Sequence, residues 1–162
     1  MIEIRLASEN DAPVLARLRW ELRSSSHKIT ENEQEFLVRC ESWMSERLRN
    51  GSQWRCWIAE QQAIVVGAVW AQLIEKIPNP VAEPEYYVYL TNFYVREEYR
   101  GEGVGARLLA AVLEWSSGAE KVILWPTERS KAFYLRHGFS FADDFMSVRP
   151  KGECDSADQQ DV

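Results

Sequence analysis

Three alternating glycines in Arg100-Gly101-Glu102-Gly103-Val104-Gly105 limit what this chain can fold into more than any other segment. The residues before them, Tyr86 to Val95, are rich in aromatic and β-branched types and read as a long strand. After them, Val104, Leu108, Val112 and Trp115 recur at helical spacing over about four turns. Glycine takes backbone conformations that other residues resist and lets a ligand approach the main chain closely. A turn of this kind aims free N–H groups and the positive end of the helix dipole at an anion, and Arg100 adds a charge there. That is a recipe for a pyrophosphate site, and a tight strand-to-helix connection would use the same glycines. No Gly-Lys-Ser/Thr follows, so the segment is not a P-loop. Its spacing is Gly-x-Gly-x-Gly and it lies late in the chain, unlike the dinucleotide fingerprint Gly-x-Gly-x-x-Gly of a first βαβ unit.

Upstream, Ile2, Ile4 and Leu6 alternate with charged neighbours as a half-buried strand does. A helix begins at Ser8-Glu9-Asn10-Asp11 and runs through Leu15, Leu18 and Leu22 to Ser24. Thr30-Glu31-Asn32-Glu33 fits a capping box for a second helix carrying Phe36, Leu37, Cys40, Trp43, Met44 and Leu48, ended by Asn50-Gly51. Trp54 to Glu60 and Ile64 to Ile77 read as a strand pair turning at Gln61-Gln62. Pro78, Pro80 and Pro84 mark a loop. Lys121 to Trp125 reads as a short strand, Glu128 to His137 as a helix closed by Gly138, and Phe139 to Val148 as one or two final strands. The order β-α-α-β-β-β-α-β-α-β predicts an α/β (α+β) fold around a mixed sheet.

The chain has 162 residues, 46% of them hydrophobic with seven Trp, which favours one domain with a sizeable core. The domain is expected over residues 1–150. Residues 151–162 hold one Lys against Glu153, Asp155, Asp158 and Asp161 and no large apolar group beyond Val162, and are expected to form a disordered acidic tail. The net charge of −6 argues against a nucleic-acid partner. No apolar run is long enough for a membrane span, and charges interrupt the N-terminus at once, so no signal peptide is expected. Cys40, Cys56 and Cys154 are odd in number with no CxxC spacing, and the only histidines are His27 and His137. Free thiols in a cytoplasmic protein are therefore expected, and no metal.

Arg100-Gly101-Glu102-Gly103-Val104-Gly105 resembles the acetyl-CoA motif Arg/Gln-x-x-Gly-x-Gly/Ala of the GNAT superfamily at every specified position. Asn92-Phe93-Tyr94-Val95 before it resembles the family's splayed strand, which closes five residues ahead of the Arg. Downstream, Thr127-Glu128-Arg129-Ser130-Lys131-Ala132-Phe133-Tyr134-Leu135-Arg136-His137-Gly138-Phe139 is similar to the family's second motif, Asn-x-x-x-x-Ala-x-x-Tyr, in a helix ending at Gly-Phe. The resemblance covers roughly residues 2–149. It implies a GNAT fold with a mostly antiparallel sheet of six to seven strands and helices on both faces.

It also implies acetyl-CoA as co-substrate. Backbone N–H groups of Arg100, Gly101, Glu102, Gly103, Val104 and Gly105 would hold its pyrophosphate. Phe93, Tyr94 and Val95 would pair with its pantetheine arm, as an added strand does. Tyr134 would give a proton to the leaving thiolate, although its helical spacing alone reads as a core aromatic. Thr127 stands where many members carry Asn, so its cofactor contact rests on a hydroxyl. Several members place a basic Glu six positions before the end of the splayed strand, and here that position is Tyr89. The candidates for base or water-orienting group are thus Tyr89, Asn92, Glu83 and Glu85. Glu60, like Glu83 and Glu85, reads equally as a solvated charge. His137 reads as a partner of a helix C-terminus.

The expected function is transfer of acetyl from acetyl-CoA to a primary amine of a small molecule, by direct attack and without an acetyl-enzyme. The protein is expected to be a monomer or homodimer. Acetylation of a peptide, or acyl-CoA binding without catalysis, are the alternatives.

Overall fold

The computed structural model describes residues 1–25, 27–51 and 53–148. The expected acidic tail lies outside the described residues. The chain forms two compact units, Met1–Trp125 and Pro126–Val162.

The first unit holds a five-stranded sheet in the order β1-β2-β3-β4-β5. Its strands are β1 (Ile2–Leu6), β2 (Trp54–Gln61), β3 (Ile64–Glu75), β4 (Tyr86–Val95) and β5 (Val122–Ile123). Neighbours are antiparallel from β1 to β4, and β5 joins β4 in parallel. The sheet is mixed and mostly antiparallel, as expected, but has five strands among the described residues where six to seven were expected. Phe139 to Val148 forms none of the final strands expected there. Its apolar residues Phe141, Phe145, Met146 and Val148 are exposed, and Asp143-Asp144 interrupts the run.

The period-2 geometry of strands sorts the core into two layers. Cys56, Ile58, Ala68 and Trp70 face α1 (Ala12–Ser24) and α2 (Glu33–Asn50), packing with Leu15, Leu18 and Met44. The alternate residue Trp57 meets Trp115 of α3 (Val104–Trp115), with ring centroids 5.4 Å apart. Helices therefore cover both sheet faces. Each fully buried side chain such as Ile58 or Val69 contributes about 1.5–3 kcal/mol through burial.

Local chemistry sets the element ends. The cap of α2 is Asn32, whose Oδ1 accepts from the N–H groups of Gln34 (2.9 Å) and Glu35 (3.4 Å), so the expected cap at Thr30 lies two residues too early. Asn shares the N-cap preference of Thr, and the turn before it decides which one serves. Gly51 closes α2 at φ 54°. The β2–β3 turn falls on Gln62 and Ala63, both at positive φ, one residue later than expected. In the second unit, α4 (Glu128–Arg136) starts at Thr127, whose N–H donates to Ser130 Oγ at 3.0 Å.

One ion pair ties β1 to the turn before α1. Arg5 donates to both Asp11 oxygens (3.0 and 2.9 Å) and to Glu60 (3.0 Å), and Ser8 N–H donates to Asp11 at 2.7 Å. The Arg5 guanidinium, helped by the Ser8 donors, holds the buried Asp11 carboxyl below its usual range despite desolvation. A depressed carboxyl stabilises the fold above its unfolded value of about 3.9, and that contribution fades as pH falls through the folded value. Asp11→Asn is expected to lose about 1–3 kcal/mol at neutral pH. Denaturant titrations should show this gap shrinking below pH ~4. A gap unchanged between pH 7 and pH 3 would contradict the assignment.

Candidate active site

The site begins with a distortion in β4. Thr91 pairs with Trp70 and Tyr94 with Ala68, so Asn92 and Phe93 together oppose Val69. This is a β-bulge, which bends its strand and re-aims the residues after it. Asn92 sits in it at φ 48°, a conformation Asn tolerates better than most residues. Beyond the bulge, β3 and β4 come unusually close. A Cβ on Gly67 would meet Tyr94 O at 2.9 Å, so only glycine fits there.

A short 3-10 turn, Glu97–Tyr99, leads from β4 into the glycine segment. Gly101 and Gly103 have φ of 84° and 79°. A Cβ at either would meet nothing within 4 Å, so backbone conformation demands the glycines and the space before the turn is open. Arg107 N–H donates to Gly103 O at 3.1 Å, which leaves the N–H groups of Val104, Gly105 and Ala106 ahead of the helical ladder. Buried Val104, Leu108, Leu109 and Val112 anchor α3 on the sheet. The Arg100 side chain is a staple. Its Nε donates to Val95 O at 2.9 Å and its guanidinium lies 5.7 Å from the Tyr94 ring centroid. Its charge therefore stays beside the turn. Open space, left-handed glycines and outward N–H groups fit a diphosphate.

A second feature of this unit is a cleft of about 360 Å³ between α1, α2 and the sheet. Phe36, Cys40, Trp43 and Met44 of α2 form one wall. Trp54 and Trp70 form its base, and Trp43, Trp54 and Trp70 contact one another with centroids 5.2 to 6.2 Å apart. Tyr89, Thr91 and Asn92 of β4 complete it, with Arg19 and Arg39 supplying charge. The bulge residue Asn92 thus belongs to the cleft, and β4 runs on from it toward the glycine turn.

The family model for the GNAT acetyltransferase domain matches residues 52–141, more than half of the chain. The chain belongs to the GNAT acetyltransferase family. No curated protein matches it. Solved structures share the fold at low sequence identity. A predicted acetyltransferase from Clostridium acetobutylicum, solved with acetyl-CoA, has TM-score 0.77 at 19% identity, over 92% of this chain and 96% of its own. A GCN5-related N-acetyltransferase from Ralstonia eutropha has TM-score 0.76 at 20% identity, over 92% and 99%. AAC(6')-Iy in complex with the bisubstrate analogue CoA-S-monomethyl-acetylneamine has TM-score 0.72 at 17% identity, over 94% and 99%.

As a GNAT acetyltransferase the protein takes its acetyl group from acetyl-CoA, and its candidate residues separate clearly. The glycine turn and the end of β4 are contiguous, and Tyr89 and Asn92 share the cleft. Tyr89 also packs its ring edge-on to Trp125 at 4.9 Å. Glu83 and Glu85 are exposed and do not line the cleft. Lys76 (2.8 Å) and Asn79 (2.6 Å) hold the Glu83 carboxylate, and the Lys76 bond above all keeps its pKa below the usual range, which makes it a weak base. Glu60 is taken by Arg5.

In the second unit, Tyr134 is buried on α4, edge-on to Phe133 and Phe139 at 5.3 and 5.4 Å. Burial pushes its hydroxyl up to about 12. Thr127 serves as the helix cap, and its Oγ1 lies 3.1 Å from Ser130 Oγ. His137 Nδ1 lies 2.8 Å from Phe133 O, an acceptor, so the ring caps the helix C-terminus as expected.

The aromatic cleft and Arg19 were missed in the sequence. Phe36, Cys40, Trp43 and Met44 recur at core spacing, and nothing in the spacing tells a cleft wall from a filled core. Arg19, between Leu18 and Trp20 in an apolar-periodic helix, was the available signal.

Proposed function

We propose that this GNAT domain acetylates a primary amine of a small molecule bound in the aromatic cleft, by direct attack on acetyl-CoA. The observation that carries this reading is the continuous path along β4, from the cleft at Tyr89 and Asn92, through the bulge, to the glycine turn. The cleft volume of about 360 Å³ lies at the small end of ligand pockets, which favours a small molecule over a protein segment. A neighbour of the same fold, AAC(6')-Iy, was solved with a CoA-linked small-molecule amine analogue.

Backbone N–H groups from Gly101 to Gly105 take the pyrophosphate, with the α3 dipole behind them, while that of Arg100, also expected there, already donates to Glu97 O at 3.1 Å. Backbone groups of Phe93, Tyr94 and Val95 take the pantetheine arm as a neighbouring strand would. Val95 O already accepts Arg100 Nε and keeps a second lone pair. The resemblance of residues 127–139 to the family's second motif assigns Tyr134 as the proton donor to the leaving thiolate. With its pKa near 12 the phenol stays protonated at neutral pH. Tyr134 gives its proton to the thiolate as it leaves, and water returns a proton to the phenolate. Water in the cleft, oriented by Tyr89, takes the proton of the ammonium group and passes it to solvent, while Asn92 Oδ1 accepts from Arg19 at 3.1 Å.

Thiol release from acetyl-CoA, compared across small amines, peptides and no acceptor, tests the acceptor class. Release with small amines is expected. Release with peptides alone would replace this reading with a peptide acetyltransferase, and acetyl-CoA binding without release would leave a non-catalytic module.

A further inference from the structure

We infer that the acceptor carries a carboxylate next to an aromatic or other flat apolar body, and that Arg19 binds that carboxylate. This deepens the proposal above and rests on the cleft being the acceptor site.

Arg19 lies on α1, half-buried, and lines the cleft. Among the described residues no carboxylate lies within ion-pair distance of it. Acids on and beside α1 and α2 are paired with other cations. Glu21 holds Arg96 (2.8 Å), Glu33 faces Arg17 (3.5 Å), and Glu31 holds Arg39 (2.6 Å). That last pair neutralises the other cationic residue of the cleft. Arg19 has one neutral partner, Asn92 Oδ1, which takes a single Nη1 N–H at 3.1 Å. The remaining guanidinium donors have no acceptor among the described residues.

A guanidinium in a partly dry site without a counter-charge is costly, and folded proteins pair such groups or present them to a ligand. Burial and the neighbouring charge of Arg23 pull the Arg19 pKa down, as expected for a cation lacking compensation. The group still stays charged, since arginine does not deprotonate in proteins. Its planar fork matches a carboxylate at two points. The bulge adds orientation. Asn92, at φ 48°, fixes one edge of the guanidinium and leaves the other edge free to engage a ligand.

The walls give the rest of the ligand its character. Phe36, Trp43, Trp54, Trp70 and Tyr89 bring five rings to the cleft that Arg19 lines, beside Cys40, Met44, Thr91 and Asn92. A polycationic amine would meet an unpaired positive charge and no cleft carboxylate. An amphipathic amino acid with a ring would satisfy both the charge and the walls.

Matched probes separate the terms. Phenylalanine and tryptophan each have a decarboxylated counterpart, 2-phenylethylamine and tryptamine. Binding of all four to protein saturated with CoA, followed by calorimetry, needs no turnover. The acids are expected to bind at least about tenfold tighter than their counterparts, a ratio of one carboxylate contact. Arg19→Met should abolish that preference while leaving acetyl-CoA affinity unchanged and binding of the two decarboxylated amines no weaker. Arg19→Lys, which keeps the charge and loses the fork, should retain part of it. Equal affinity for acid and counterpart in the unmodified protein, tighter binding of the decarboxylated amines, binding of none of the four, or a preference surviving in a folded Arg19→Met protein would each overturn the inference. Failure of the acetyltransferase reading itself shows differently, as bound acid and bound acetyl-CoA with no thiol release.

Discussion

Gly103→Val is expected to weaken acetyl-CoA binding about tenfold to a hundredfold while the protein stays folded. Gly103 sits at φ 79° immediately before the first turn of α3. A residue with a side chain costs roughly 1–2 kcal/mol in that conformation, and a β-branched one more. No atom lies within 4 Å of the Cβ position, so the protein itself offers the side chain no clash. The cost therefore falls on the loop conformation and on the volume where a diphosphate would lie. The loop either relaxes, and its N–H groups lose their aim, or keeps its shape with a Val in the way. Either outcome removes more than the ~1.4 kcal/mol that corresponds to tenfold. Gly51→Val is the matched control. Gly51 also has positive φ, at 54°, and open surroundings, but it closes α2 and takes no part in the turn. It should show a comparable stability loss and unchanged acetyl-CoA affinity. Calorimetry giving equal affinity for Gly103→Val and the unmodified protein would remove the glycine turn from the binding site.

The second large effect is on turnover. Tyr134→Phe should lower kcat by roughly ten- to a thousandfold, with acetyl-CoA affinity little changed, because general-acid assistance contributes about two to four powers of ten and water replaces part of it. The ring stays, and with it the edge contacts to Phe133 and Phe139. Only the hydroxyl that burial has pushed up to about 12 is lost. Two consequences follow from that value. The phenol does not ionise below pH ~11, so no alkaline fall in rate near pH 9–10 should trace to Tyr134. A fall present in the unmodified enzyme should therefore persist in Tyr134→Phe. Equal turnover of the two proteins, measured where chemistry limits the rate, would exclude Tyr134 from the reaction.

Much of the fold could be read along the chain, for reasons the structure makes plain. Where a residue's neighbours in sequence determine its conformation, the reading held. The glycines at positions 101 and 103 adopt the left-handed angles their spacing implied, and Gly51 ends α2 in the same way. The strand expected over Trp54 to Glu60 forms as Trp54–Gln61. Where the outcome depends on distant partners, the reading missed. Thr30 and Asn32 compete for one helix cap, and the chain path before the helix selects Asn32. Phe139 to Val148 has strand-like composition, yet apolar residues without a paired ladder do not make a strand. The cleft shows the same limit. Trp43, Trp54 and Trp70 lie on three separate elements and come into contact only through β2–β3 pairing and the packing of α2. Arg19 carries information of the opposite kind, since a charge on a helix face that packs on a sheet is locally anomalous.

The proposed acetyl transfer depends on two things at once, an amine acceptor and the glycine turn. Thiol release from acetyl-CoA measures both when it is followed with and without a carboxylated aromatic amine, in the unmodified protein and in Gly103→Val. At acetyl-CoA concentrations near the unmodified protein's Kd, the expected result is release that requires the amine and falls about fivefold to fiftyfold in the variant. Release that proceeds equally without any amine, or equally in both proteins, or acetyl-CoA binding that yields no release with any small amine or peptide, would contradict it.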